Sequence, residues 1–261
     1  MRSITTPGVL LRSFPYSESS RILRFLTPDR GVVSLLARGV RTRGGRGSGG
    51  LDTFAQGTLT YLEREDRDLQ TFQDFHPAPP AAHLGRSVFR FAGASLLAEL
   101  LLTQAVQGGD PSLFEGLIGA LSQLDLVPDD EVAGWILAGG WSLLASLGFT
   151  PELDSCTRCG GGIEGVGGWD VEGGGVRCGP CALDHGLPRL GPESRSAMAN
   201  FVRGSPTHPV RGIRAHLSLL EGFARVHLRP DRGFSSFELL RPLGDGAVRE
   251  DKVDPPPAGV A

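Results

Sequence analysis

Four cysteines stand in two pairs, Cys156-Thr157-Arg158-Cys159 and Cys178-Gly179-Pro180-Cys181, and the chain has no others. Two thiols two residues apart can turn onto one point. Two such turns supply the tetrahedral four-sulfur shell of a zinc ion, with Zn–S distances of about 2.3 Å. Eighteen residues separate the pairs, with glycine runs at 160–162 and 173–175. Glycine after a turn lets backbone amides come close to sulfur. Four thiolates leave no position open for substrate or an activated water, so the expected metal is one structural zinc ion. Two disulfides would use the same residues. Residues 1–14 lack a basic-then-apolar leader, so a reducing, cytoplasmic setting is expected, and disulfides are not. A redox C-x-x-C comes as one pair opening a helix rather than two in glycine-rich turns. His185 lies four residues past Cys181 and is a spare ligand candidate that reads more simply as a surface histidine.

The second group with chemistry is a set of arginines. The chain carries a net charge of −3 over 261 residues, which by itself argues against a nucleic-acid partner. The distribution argues for one, because local field, not net charge, binds phosphate. Residues 1–50 hold nine arginines against Glu18 and Asp29 only. The compensating acids come later, in the Glu63 to Asp68 stretch and around Asp129 to Glu131. Residues 38–50 are almost wholly arginine and glycine, with Val40 as the one core-forming residue. Guanidinium forks pair with phosphate oxygens, and glycine keeps the backbone close to a partner. Arg21, Arg38, Arg41, Arg43 and Arg46 are the candidate phosphate contacts. The plain alternative is a solvated loop that aids solubility. Phe14, Tyr16, Phe25, Phe54 and Tyr61 are available to stack on bases, though each fits a barrel core as readily.

These residues need elements to hold them. Residues 9–11, 21–26, 32–37, 53–63 and 69–75 read as short strands with turn residues between them. Five strands in about 80 residues fit an OB-fold barrel, with an SH3-like barrel as the alternative. From residue 81 the apolar spacing becomes helical. Residues 84–106 are apolar nearly all round, as in a helix buried in a bundle. Asp110-Pro111 reads as an N-cap with proline at the first helical position. Asp129 or Asp130 is expected to cap a third helix, ended by Gly148 and Pro151. Pro192 opens a short helix, and residues 210–228 make the last. Trp135 and Trp141 read as core. The predicted class is α+β: residues 1–80 an OB-fold DNA-binding domain, 81–150 and 188–241 two parts of a helical domain, 151–187 an inserted zinc ribbon, and 242–261 a disordered tail.

No phosphate loop, G-x-S-x-G, H-E-x-x-H or dinucleotide fingerprint is present, and the six histidines are scattered. No apolar run reaches the roughly 18 residues of a membrane span, so no membrane partner is expected. A non-catalytic binding protein is therefore favoured over an enzyme. Within that class an adaptor that joins proteins, its basic loop incidental, is the alternative to a DNA binder.

The order of parts resembles the RecO family of bacterial recombination mediators. The resemblance rests on Gly8 to Leu11, Tyr16 to Leu23, Phe25 to Gly31 and Leu36 to Arg41, then Ala98 to Leu101, then Leu147-Gly148-Phe149 followed by the four cysteines. It covers residues 1 to about 240. It implies an N-terminal OB-fold and a helical domain bearing a zinc ribbon. It further implies binding to single- and double-stranded DNA and annealing of complementary strands. The partners it implies are RecR, the single-stranded-DNA-binding protein and, indirectly, the RecA recombinase, at the nucleoid. Relatives often carry lysine in the basic loop, whereas this chain has arginine there and one lysine in all, Lys252.

Overall fold

The computed structural model describes residues 1–39, 51–104, 108–183, 186–228 and 233–243. Five strands, β1 (Arg2–Pro15), β2 (Arg21–Thr27), β3 (Gly31–Ala37), β4 (Gln56–Glu63) and β5 (Leu69–Pro77), close into a barrel in the order β1-β2-β3-β5-β4. All pairings are antiparallel except β3 with β5. This is the OB-like choice of the two barrels that the turn spacing allows. Alternation along the strands fills the interior with Leu10, Leu23, Phe25, Leu35, Leu59, Tyr61 and Phe75. A register shift between Leu10 and Arg12 leaves Leu11 as the extra residue of a bulge.

The bulge helps join the barrel to the helices. Leu11, with Val9 and Leu26, faces away from the barrel interior and packs into the helical core. Phe54 does the same from the start of β4, which begins at Gln56 rather than Thr53. Its backbone sits at φ 71, costly for a non-glycine residue by about 1–2 kcal/mol. Two hydrogen bonds fix it there: Phe54 N–H donates to the Leu10 carbonyl (2.7 Å) and Leu10 N–H donates to the Ala55 carbonyl (3.0 Å). The ring is thereby buried edge-on against Phe91, with centroids 5.3 Å apart.

The helical domain contains α1 (Val88–Thr103), α2 (Pro111–Leu126), α3 (Val132–Ser146), α4 (Gly179–Ala182), α5 (Pro192–Val202), α6 (Ile213–Leu228) and α7 (Ser235–Leu243). α3 is apolar on all sides and lies at the centre. Its approach to α1 depends on Gly93, where a Cβ would sit 2.4 Å from Ile136 Cγ1. Ser87 caps α1, and Asp110 caps α2 ahead of Pro111. α3 departs from expectation: neither Asp129 nor Asp130 makes a side-chain cap, and residues Asp129–Glu131 form a 3-10 turn instead. The Asp129 carboxylate is engaged elsewhere, accepting from Arg90 Nη2 at 2.5 Å.

Arg90 is buried, and its other bonds run from Nη1 to the Leu124 carbonyl (2.6 Å) and from Nη2 to the Val127 carbonyl (2.7 Å). A cation thus satisfies the open carbonyls at the C-terminal end of α2. Arg90→Ala is expected to destabilise the protein by about 3 kcal/mol, since it strands these acceptors and leaves a void. Urea unfolding of the two proteins measures this, and a difference below about 1 kcal/mol would assign Arg90 a dispensable role.

The chain does not end its folded part with α6. α7 follows, and Pro242 lies inside it; residues 244–261, the rest of the expected tail, lie outside the described residues. Phe237 and Leu240 of α7 are fully buried. Glu99 of α1 accepts from the Ser235 hydroxyl (2.5 Å) and the Ser236 amide (2.9 Å), which fixes the start of α7. No helix among the described residues is long and apolar enough to cross a membrane.

Candidate functional site

Between α3 and α5 the chain forms a small sheet of β6 (Gly167–Asp170), β7 (Gly175–Arg177) and β8 (Arg189–Leu190), in the order β7-β6-β8. The two cysteine pairs sit in turns beside it. Gly160, at φ 71, closes the first turn by donating its amide to the Cys156 carbonyl (2.9 Å). The second turn runs into α4, where Ala182 N–H donates to the Cys178 carbonyl (3.0 Å). All four sulfurs lie within 4.8 Å of one another. Cys159 Sγ and Cys178 Sγ are 3.8 Å apart, and all four cysteines are free of disulfides. That spacing matches the edge of a tetrahedron around a metal at about 2.3 Å.

The electrostatics of the sulfurs also fit a cation. Burial raises the Cys156 thiol, but amide donation from Cys178, Cys159 and Arg158 outweighs it and brings the group down to about 6. Cys181 is pushed up to about 12, chiefly by hydrogen bonds shared with Cys178 and Cys159. Sulfurs this close resist joint ionisation, and a divalent ion between them removes the obstacle. The four cysteines can therefore hold one metal ion, and an all-sulfur set is compatible with zinc.

Asp170 ties the two turns together. Its carboxylate accepts from Thr157 Oγ1 in the first turn (3.2 Å), from Arg177 Nε just before the second (2.7 Å) and from the Gly173 amide (3.1 Å). Burial raises its pKa, and the Arg177 bond and the other donors override that to leave it below the ordinary value. Nor does the ribbon stand apart from the helices. Trp169 of β6 meets Trp141 of α3 edge-on at 6.1 Å and Phe223 of α6 at 5.8 Å. The sequence pattern points to the cysteines and to Trp141, but contains no signal for Asp170 or Trp169 as their link.

The six described arginines of residues 1–50 do not form one patch. Arg2 and Arg30 border a cleft at one end of the barrel shared with Glu63, Glu65 and Asp66, and Arg30 pairs with Glu63 at 3.5 Å. Arg21 and Arg38 lie at another place: Arg21 pairs with Ala37 across β2–β3, and Arg38 follows Ala37 directly and is exposed. Arg41, Arg43 and Arg46 lie outside the described residues, as does His185. Of the aromatic candidates, Phe25, Phe54 and Tyr61 are core, whereas Phe14 (38 % exposed) and Tyr16 (59 %) are not. Both exposed rings sit at the β1–β2 turn end of the strands, where Pro15 pairs with Arg21 and Phe14 with Ile22.

A further pair, Arg12 and Arg24, face each other across β1 and β2. Leu23 and Phe25 point into the barrel, so Arg24 points outward. Burial, then the charge of Arg12, lowers the Arg24 pKa. Reading strands in isolation does not reveal this pair, because the bulge at Leu11 sets the register that brings the two together.

Residues 1–79 match the family described as Recombination protein O N terminal, and residues 86–232 match Recombination protein O C terminal. Among curated proteins, the chain is 34 % identical over 206 residues to DNA repair protein RecO of Anaeromyxobacter dehalogenans strain 2CP-C, covering 78 % of this chain and 79 % of that one. It is 33 % identical over 264 residues to DNA repair protein RecO of Heliobacterium modesticaldum, covering 97 % and 94 %. A protein of the same name from Synechococcus strain JA-3-3Ab is 27 % identical over 269 residues. With both halves matched in order, and with an OB-like barrel ahead of a helical domain that carries a four-cysteine cluster, the chain belongs to the RecO family of DNA repair proteins.

Proposed function

We propose that this chain is a DNA-binding recombination mediator that brings complementary single strands together without making or breaking a bond. The observation that carries the reading is that Arg21, Arg38, Phe14 and Tyr16 all lie at one end of β1, β2 and β3, the end from which the arginine–glycine segment follows in sequence. Guanidinium groups neutralise phosphates on two strands and lower their repulsion, while exposed rings hold bases by stacking. Arg41, Arg43 and Arg46, which follow Arg38 in sequence, add further guanidinium groups for phosphate. In this reading RecR and the single-stranded-DNA-binding protein are the partners, and RecA loading is the outcome. One zinc ion on Cys156, Cys159, Cys178 and Cys181 is a structural brace, remote from the chemistry of base pairing.

The test is annealing of complementary strands precoated with single-stranded-DNA-binding protein. The wild-type chain is expected to accelerate annealing well above the protein-free rate. A folded chain that gives no acceleration leaves the protein-joining adaptor as the better account, with the basic segment incidental.

A further inference from the structure

We propose that the outer face of β1, β2 and β3, beyond the Val9–Leu26 pair that packs on the helices, is a single-strand nucleotide seat, in which Arg12 and Arg24 hold one phosphodiester and Phe14 and Ile22 support its base. The proposal rests on the DNA-binding reading above and adds the residues and the strand preference. Arg12 and Arg24 are direct cross-strand neighbours, an arrangement that places Cβ atoms about 4.5–5.5 Å apart. Like charges at that spacing destabilise a sheet. Among the described residues, no carboxylate pairs with either guanidinium and no hydrogen bond is made to either. The Nε of Arg24 is enclosed without an acceptor, so only its terminal nitrogens can reach a ligand. Two guanidinium groups on directly paired residues, with no carboxylate between them, suit a single oxyanion with several acceptor oxygens.

The next residues along the same face are apolar. Phe14 stands two residues after Arg12, Ile22 two before Arg24, and the two are themselves a direct pair. Leu36 lies opposite Ile22 on β3, and Ser34 lies opposite Arg24. Phosphate forks and a partly exposed ring are thus one residue pair apart along the strands. A base in a duplex is stacked on both faces and cannot lie on Phe14, whereas a base in a single strand can. The geometry therefore selects single strands over duplex.

Arg12 and Phe14 are both exposed, so each can be changed without opening the barrel core. Wild type, Arg12→Gln and Phe14→Ser are titrated against a labelled oligothymidylate and a blunt duplex of equal length, across a range of salt. Arg12→Gln is expected to weaken oligothymidylate binding and to make the log–log salt slope shallower by about 0.7, one contact. Phe14→Ser is expected to weaken it about tenfold with the slope unchanged, because stacking releases no counterions. Duplex binding should be the same for all three, and equal melting temperatures confirm the fold. Unchanged oligothymidylate binding in both variants, with the wild type binding well, overturns the seat while sparing the DNA reading. Equal losses on duplex overturn the single-strand preference. A wild type that binds neither DNA overturns the DNA reading and the seat with it.

Discussion

Alanine at Arg38, Arg41, Arg43 and Arg46 together is expected to lower affinity for single-stranded DNA by about two to three decades at 0.1 M salt, and to remove about 3 from the log–log salt slope. The size follows from counterion release, at about 0.7 per phosphate neutralised on a single strand. The reason to assign the contacts here is placement. Arg30 spends its charge on Glu63, whereas Arg38 is exposed at the end of β3 beside Arg21. The other three follow Arg38 within eight residues of sequence. Fluorescence anisotropy of a labelled strand from low to high salt reads both quantities. A slope unchanged by the quadruple substitution would move the contacts off this segment and onto the barrel face alone.

Serine at Cys156 or Cys178 is expected to abolish metal binding and to lower the melting temperature by well over about 10 °C. Structural zinc in small sites is worth about 10–16 kcal/mol, comparable with the whole stability of an ordinary domain. The loss should not stay local. Trp169 inserts the ribbon between Trp141 and Phe223, and His227 Nε2 bonds the Val171 carbonyl at 2.8 Å, so a collapsed ribbon opens the helical core. The barrel has its own interior core, and strand binding by Arg38 and its neighbours should persist in molecules that remain folded. Metal content by atomic absorption and thermal unfolding by circular dichroism give the two readouts. A variant free of zinc that melts with the wild type would show the metal to be dispensable for the fold.

What the sequence makes legible here is what local chemistry determines. A C-x-x-C pair needs only its own turn, so the four cysteines are readable as a cluster before any fold is known. Asp110-Pro111 is likewise a local signal, and α2 begins there. Asp129 fails the same test because a residue 39 positions away, Arg90, takes its carboxylate. α7 escapes because glycine and proline surround it, and its reason to be helical is the apolar face of α1, far off in sequence. The aromatic residues divide for a similar reason. Phe25 and Phe14 both lie on strands, and only the closing of the barrel and the bulge at Leu11 decide that one is core and the other exposed.

The bond between Glu99 and Ser235 has a meaning for how the chain is made. Its two residues are separated by 136 positions, whereas the barrel is complete once Pro77 has been added. As the chain leaves the ribosome, the barrel can close early, with its contacts all within the first third of synthesis. α1 emerges next, and its apolar surface then waits for Phe237 and Leu240, which come last. The nascent helical domain therefore keeps apolar surface open until α7 has been made, which is the interval in which aggregation competes with folding.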